Sequence, residues 1–599
     1  MAQIAADIQG AAGGQRELTL RTVLTGITVG ALLTPCNVYS GLKIGWSFNM
    51  SIAAGLLALV FWRVVSRFFA VPAYGMLENN INQTTASSAA SIISGGLVAP
   101  IPALALLTDQ VLPFGQLALW VTLVSLLGVA VAVTLRRSMI EREGLRFPAG
   151  VATAETLQRL YDHGREAALG VRLLAGGALV SGGLKLLLDL TPGAARVTFP
   201  LSLPPLIGAG RLAQAPSLHN LGLAFDPSLL MVGFGAIIGL RAGLSLLFGA
   251  FLAWGVLGPV LPALGWVEAG PADGAWYGTL IGWLVWPGAT LVVVASLASF
   301  TLSLLDLRRY RSQGAPQRPS AHGPHVLGFA APLLLLGGAI VIACQALFGI
   351  VYWAGALAVA VSFALAVVSA RVTGETGITP VGALGKVTQL GYGIVTPGDV
   401  TANLMTANVT GGAAGQAADL MHDLKTGALL GATPARQFLA QIAGILTGGV
   451  VGSAVYLVLI PDPAAMLLTP KWPAPAVATW KAVAEVLAQG LSAIPTGAPA
   501  AMACAALVGL ALAVGERLLP RYRPDLARWL PSGPALGLAF VVPAWNAVSL
   551  CLGAVLAASL SRAAPRLWTR QRITTVAAGL VAGESLAGVG LAIMRLLGV

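Results

Sequence analysis

Residues Glu78 to Ser91 read ENNINQTTASSAAS, a carboxylate followed by amides, hydroxyls and small residues, in a chain of 599 residues that is 56% hydrophobic and only 10% charged. Soluble domains carry about 25% charged residues. With a mean hydropathy of +0.82, the composition predicts an all-α, polytopic integral membrane protein. In lipid, a run of this polarity is expensive unless it lines a wet cavity or meets other polar groups. Glu78 and Asn82 lie one helical turn apart, and Asn79, Asn82, Gln83 and Ala86 share a stripe. The block therefore reads as a substrate-facing wall, and bridging between helices is the plainer alternative. The four-residue repeats Ala86, Ala90, Ser94 and Ser87, Ser91 predict a second helix packed closely on this one.

Working outward, segments of about 20 apolar residues number about 16. They include Leu18 to Pro35, Asn80 to Leu107, Phe225 to Gly243, Leu244 to Leu264, Thr401 to Leu420 and Pro534 to Leu560. Met1 to Arg16 lacks the pattern of a removable signal peptide. Basic connections recur at Arg63 to Arg67, Arg136 to Arg172 and Arg308 to Arg318, which by the positive-inside rule puts the N-terminus in the cytoplasm. The net charge of +12 sits in these loops and calls for no nucleic acid. Both Arg517 to Arg528 and Arg562 to Arg572 are basic, so Pro534 to Leu560 either enters and leaves on one side or the count is off by one. Pro543 and Asn546 favour a broken or re-entrant helix there. The expected division is a tail at 1–17, a transmembrane half at 18–305, a basic cytoplasmic linker at 306–325 and a second half at 326–599. Thr34-Pro35 with Gly41-Leu42-Lys43 echoes Thr379-Pro380 with Leu384-Gly385-Lys386, the pattern of a two-half internal repeat.

Other polar groups stand out. Asn37 to Lys43 follows Pro35 and is expected to break the first span. Asn37, Tyr39 and Lys43 are then candidate substrate contacts, Lys43 for an anion, with a snorkelling Lys43 as the alternative. Thr373 to Gly382 forms a Gly- and Thr-rich hinge ahead of and around Pro380. Its Glu375, Thr376 and Thr379 are further candidates, with a capping role for Glu375 as the rival reading. Asp419 and Asp423 stand at i,i+4 spacing, where paired carboxylates can carry a proton, unless they belong to a charged loop with Lys425 and Arg436. Glu78 and Glu584 complete the proton-coupling candidates. The four cysteines are dispersed and fit neither a disulfide framework nor a zinc site. No metal site, cofactor or catalytic residue is expected.

Five separated blocks carry a family resemblance: NVYSGLKIG (37–45), ENNINQTTA (78–86), FPAGVATA (147–154), Ser369 to Pro380, and DLKTGALLGATP (423–434). In content and order the chain resembles the oligopeptide transporter family, which includes the yellow stripe-like carriers of metal chelates. The resemblance implies a secondary carrier of about 16 spans, usually proton-coupled, that imports small peptides or metal–chelator complexes. The 78–84 and 147–154 blocks look closer to the yellow stripe branch. Where the peptide branch has KIPPR, this chain has Gly431-Ala432-Thr433-Pro434-Ala435.

An ATP-driven pump is excluded by the lack of a phosphate-binding loop. An intramembrane protease fails because Tyr161-Asp162 lies in the most basic connection, and no Gly-x-Ser-x-Gly or His-Glu-x-x-His is present. A channel would need a ring of repeated pore-lining groups. The expected partners are a small-molecule peptide or chelate, protons and membrane lipid, with homo-oligomerisation open and a bacterial inner membrane as the location.

Overall fold

The computed structural model describes residues 16–45, 50–162, 164–191, 196–198, 216–312, 327–376, 379 and 381–598. The first helix, α1 (Leu20–Ile44), is capped by Thr19, whose hydroxyl accepts from Thr22 N–H, and ends at Gly45 in the left-handed region (φ 79°). It runs unbroken through Pro35, which corrects the expected break at Asn37 to Lys43. A proline removes one helical hydrogen bond, and close packing on the neighbouring helix outweighs that loss. A Cβ on Gly30 would stand 2.8 Å from Ala89 Cβ, and Asn37 Nδ2 donates to Ala90 O (3.0 Å).

After α2 (Ser51–Phe68), the polar block forms α3 (Met76–Ala90), buried along nearly its whole length. A 3-10 turn and Gly96 (φ 114°) interrupt it before α4 (Pro100–Thr108). The break follows from Gly96 and Pro100, which together prevent a continuous ladder. Beyond α5 (Phe114–Arg136) lie α6 (Pro148–Asp162) and α7 (Gly164–Leu190).

A two-stranded antiparallel pair, Val197–Thr198 with Ala224–Phe225, precedes α8 (Leu229–Ile238). The expected span Phe225 to Gly243 is thus a ten-residue helix, too short to cross a bilayer, because Gly239 (φ 85°) ends it. A second helix, α9 (Leu240–Leu264), follows at once. Next come α10 (Tyr277–Ser312), α11 (Leu327–Phe348), α12 (Tyr352–Thr376), α13 (Val381–Val395), α14 (Val400–Leu430) and α15 (Pro434–Leu459). The last group is α16 (Pro475–Gln489), α17 (Ala498–Tyr522), α18 (Gly533–Leu538), α19 (Ala544–Ala563) and α20 (Arg570–Leu596).

The segment expected to be broken or re-entrant is a hairpin. Ser532 N–H donates to Ser245 Oγ near the start of α9, while Trp254 Nε1, two to three turns further along, donates to Ala539 and Val542 carbonyls. Pro543 then caps α19, which returns so that Ala554 lies beside Gly243. The chain climbs along α9 and descends beside it, so both flanking basic segments lie at one end, the first of the two readings the charge pattern allowed.

Among the described residues, 13 helices are long and apolar enough to cross a membrane, rather than about 16. Three of the expected spans account for the difference. Those at α8 and α16 are short, and α14 is long but kept too polar for a span by Asn403, Asn408, Gln416 and its threonines, with Asp419, His422, Asp423 and Lys425 further along it. These last four residues are helical, not a charged loop. The two halves interleave: α15 packs on α1 and α3, α20 on α7, and α19 on α8. Helix α10 continues to Ser312, into the expected linker; residues 1–15 of the tail and 313–326 lie outside the described residues.

Candidate functional site

The block that opens α3 serves two environments. At its start, Glu78 is 1% exposed and paired with Arg21. Its Oε1 accepts from Arg21 Nε (2.8 Å) and Thr19 Oγ1 (3.0 Å), and Oε2 accepts from Gly75 N–H (3.1 Å). The guanidinium also donates to Pro72 O (2.9 Å) and lies 5.1 Å from the Trp62 ring centre. Glu78 thus meets a full countercharge and closes the first turn of its helix, where a carboxylate is favoured.

One to three turns on, the amides face a junction of α2, α3, α14 and α15. Asn79 Nδ2 donates to Gly55 O (3.0 Å) and Asn82 Nδ2 to Ala54 O (3.3 Å). Gln83 Nε2 donates to Asn80 Oδ1 and Thr84 Oγ1 (both 3.1 Å), and Ser88 Oγ to Gln441 O (2.9 Å). Asp423, 2% exposed, is the acidic member. Ser51 Oγ donates to its Oδ1 (3.2 Å) and Gln441 Nε2 to its Oδ2 (2.9 Å), while Gln437 Nε2 donates to its backbone carbonyl (2.9 Å). Among the described residues no cation lies within ion-pairing distance of Asp423, in contrast to Glu78. Four buried amide atoms here have no partner among the described residues: Asn80 Nδ2, Asn82 Oδ1, Gln83 Oε1 and Gln441 Oε1. Buried polar atoms are rarely left so, and a set of them beside an uncompensated carboxylate forms a polar centre able to take a proton or hold a polar ligand.

The junction is tightly walled. A Cβ on Gly444 would lie 2.2 Å from Thr85 O, and one on Gly448 would lie 2.4 Å from Ala89 O. These contacts fall on Thr85 and Ala89, beside the Ala86, Ala90 and Ser94 stripe on which the spacing predicted a close partner; Gly30 of α1, whose Cβ would lie 3.2 Å from Ala86 Cα, meets that stripe. In this conformation the amides of α3 both bridge helices and leave unused valences. Asp419 is half-buried one turn before Asp423. His422 lies edge-on to Phe147 (5.8 Å), and a Cβ on Gly150 would meet His422 O at 2.3 Å, so the 147–154 block is a packing surface for α14.

The hinge reaches this centre indirectly. Helix α12 ends at Thr376 and α13 begins at Val381. Thr373 and Thr379 share a hydroxyl contact (3.3 Å), and Phe147 N–H donates to Gly374 O (2.9 Å). Glu375 itself is exposed, and the hinge touches the junction through Gly374, Phe147 and His422. Residues 377, 378 and 380 lie outside the described residues.

Elsewhere, Glu584 is buried (7% exposed) and accepts from Ser228 Oγ (2.7 Å) and Leu230 N–H (2.8 Å) at the start of the half-helix α8. At the end of α1 away from Arg21, Lys43 Nζ lies 5.9 Å from the Tyr39 ring centre and 5.4 Å from that of Trp472. The lysine at the matching place in the sequence echo was not among the candidate residues. Lys386, 3% exposed, donates to Gln389 Oε1 (2.7 Å) and stands 4.4 Å from the Trp480 ring centre. The echo of 34–43 in 379–386 was the one signal that could have found it.

The chain matches the family described as OPT oligopeptide transporter protein over residues 17–313 and 324–595. It belongs to that family. The gap between the two matched stretches of this OPT chain falls inside the basic connection at 306–325. A candidate oligopeptide transporter of Saccharomyces cerevisiae is 24% identical over 95% of both chains. One from Haemophilus influenzae is 27% identical over 70% of each. A metal-nicotianamine transporter of Arabidopsis thaliana is 24% identical over 96% of this chain and 92% of its own. The OPT chain is accordingly an integral membrane protein of a transporter family, whose members carry peptides or metal chelates.

Proposed function

We propose that this OPT-family chain is a proton-coupled secondary carrier that imports small oligopeptides or peptide-like molecules. It would sit in a bacterial inner membrane with its N-terminus in the cytoplasm and lipid around its apolar faces. The observation that carries the reading is Asp423. A buried carboxylate held by neutral donors alone is stabilised by taking up a cation, and its side-chain partners come from both halves of the chain: Ser51 from one, Gln441 from the other. Relative movement of the halves during alternating access changes those partners, which couples charge uptake to the transport step.

In this reading Asp423, with Asp419 beside it, is the principal coupling group and Glu584 a second. Glu78 with Arg21 holds the end of the pathway shut. Asn79, Asn82 and Gln83 offer amides to the substrate backbone. Asn37, Tyr39 and Lys43 contact it at the other end, and Glu375, Thr376 and Thr379 supply the hinge. A second reading, import of metal–chelator complexes, is favoured by the relatives named as metal-nicotianamine transporters that align over nine-tenths of the chain. Both substrate classes carry amino and carboxylate groups. The test is uptake into proteoliposomes of trialanine and of zinc–nicotianamine, each with and without an inward proton gradient. Saturable, gradient-dependent uptake of either supports the carrier, and single-channel conductance contradicts it.

A further inference from the structure

Three anion-binding features meet at the far end of α1. The first is Lys43, half-buried, with its ammonium over the rings of Tyr39 and Trp472; among the described residues no carboxylate pairs with it. The second is the indole Nε1 of Trp472, a residue 3% exposed, whose donor has no partner among the described residues. An indole N–H buried in a membrane protein ordinarily finds an acceptor. The third is the N-terminus of α16, which carries no side-chain cap because Ala474 (φ 42°) stands at the N-cap position and Pro475 opens the helix. Ala474 N–H donates to Leu42 O (3.0 Å), and a Cβ on Gly45 would lie 2.9 Å from Pro475, so the helix start is fastened beside Lys43. An uncapped helix N-terminus presents free N–H groups and the positive end of the dipole. Such ends of short membrane helices meet the anionic groups of substrates.

We propose that Lys43, the Trp472 indole N–H and the start of α16 form a carboxylate-binding site that anchors the carboxylate end of the substrate. This deepens the carrier reading above and rests on it. The chemistry is specific: an ammonium gives charge, the indole gives one directed donor, and the helix end gives backbone donors. Together they bind a carboxylate through charge-assisted hydrogen bonds and bind an ester or amide poorly. Tyr39, edge-on to Trp472 at 5.2 Å and against Gly588, holds the indole in place. Lys43 also sits in the last turn of α1, where a cation has a purely structural use. The experiment must therefore separate anchoring from capping.

The full-length protein in detergent is melted with trialanine, trialanine amide, metal-free nicotianamine and its trimethyl ester. At least one free acid is expected to raise the melting temperature while its amide or ester does not. Lys43→Gln and Trp472→Phe should abolish that discrimination, and Lys43→Arg should keep it. Trp472→Phe deletes the donor together with the pyrrole ring and keeps a benzene ring in its place; a cooperative melt of each variant, and the discrimination kept by Lys43→Arg, separate lost anchoring from a disturbed fold. Equal shifts from acid and amide, no shift from any acid, or discrimination surviving in both Lys43→Gln and Trp472→Phe overturn the proposal. Uptake of trialanine amide as fast as trialanine would overturn the anchor and leave the carrier standing.

Discussion

Gln441 reaches from α15 to place its amide Nε2 2.9 Å from Asp423 Oδ2 on α14, while its own Oε1 finds no partner. The amide satisfies half of a buried carboxylate and leaves its own acceptor unused. Gln441→Ala should therefore weaken coupling without abolishing substrate binding, because Ser51 still donates to Oδ1. Counterflow exchange should persist while gradient-driven accumulation falls. Loss of both activities in a protein that still melts cooperatively would mean that Gln441 binds the substrate itself.

The Arg21–Glu78 pair predicts an asymmetric result. Removing one member leaves the other charge buried, which costs about 3 kcal/mol, at the low end for buried pairs because Arg21 is partly exposed. Arg21→Ala and Glu78→Ala should each lower the melting temperature, and the double variant Arg21→Gln with Glu78→Gln should recover much of it. A double variant as unstable as the worse single one would show that the charges are not the relevant partners.

Helix proximity gives a test independent of charge. Gly444→Ala puts a methyl 2.2 Å from Thr85 O, whereas Gly176→Ala on α7 meets nothing within 4 Å. The first should destabilise by about 1–3 kcal/mol, as overpacking does, and the second should not. Equal melting temperatures would mean that α15 and α3 are not in this contact in solution.

At Glu584 the competing roles are helix cap and proton carrier. Glu584→Ala strands the Leu230 N–H, at a cost of about 1–3 kcal/mol; Glu584→Gln still offers an acceptor and should retain stability. If Glu584→Gln also keeps the pH profile of uptake, Glu584 is a cap and Asp423 carries coupling alone.

Much of this was legible in the sequence, for physical reasons. The polarity of Glu78 to Ser91 is an energetic anomaly in lipid wherever it occurs, and small residues at four-residue spacing admit close helices whatever their partner. Matching basic segments on both sides of Pro534 to Leu560 called for either a re-entrant segment or one span fewer, and Pro543 and Asn546 favoured the first. Local signals misled where packing decided the outcome. Pro35 does not break α1, because α3 compensates for the missing bond, and Gly239 ends α8 inside what looks like one apolar run. Lys386 and Trp472 were missed because their meaning lies in contacts with residues far along the chain. Glu78 and Asp423 look alike as isolated acids in a sequence, and only the position of Arg21 separates a neutralised carboxylate from an uncompensated one.

The most direct test of the account is gradient-driven uptake by Asp423→Asn in proteoliposomes, with whichever of trialanine or zinc–nicotianamine the wild type accumulates. The amide keeps the size and one acceptor of the carboxylate, turns the other acceptor into a donor that the Gln441 amide can meet through its Oε1, and cannot take up a proton. The account predicts that Asp423→Asn still exchanges substrate across the membrane but no longer accumulates it, the internal concentration stopping at parity with the external one. Accumulation by Asp423→Asn to the wild-type level, with the same pH dependence, would contradict it.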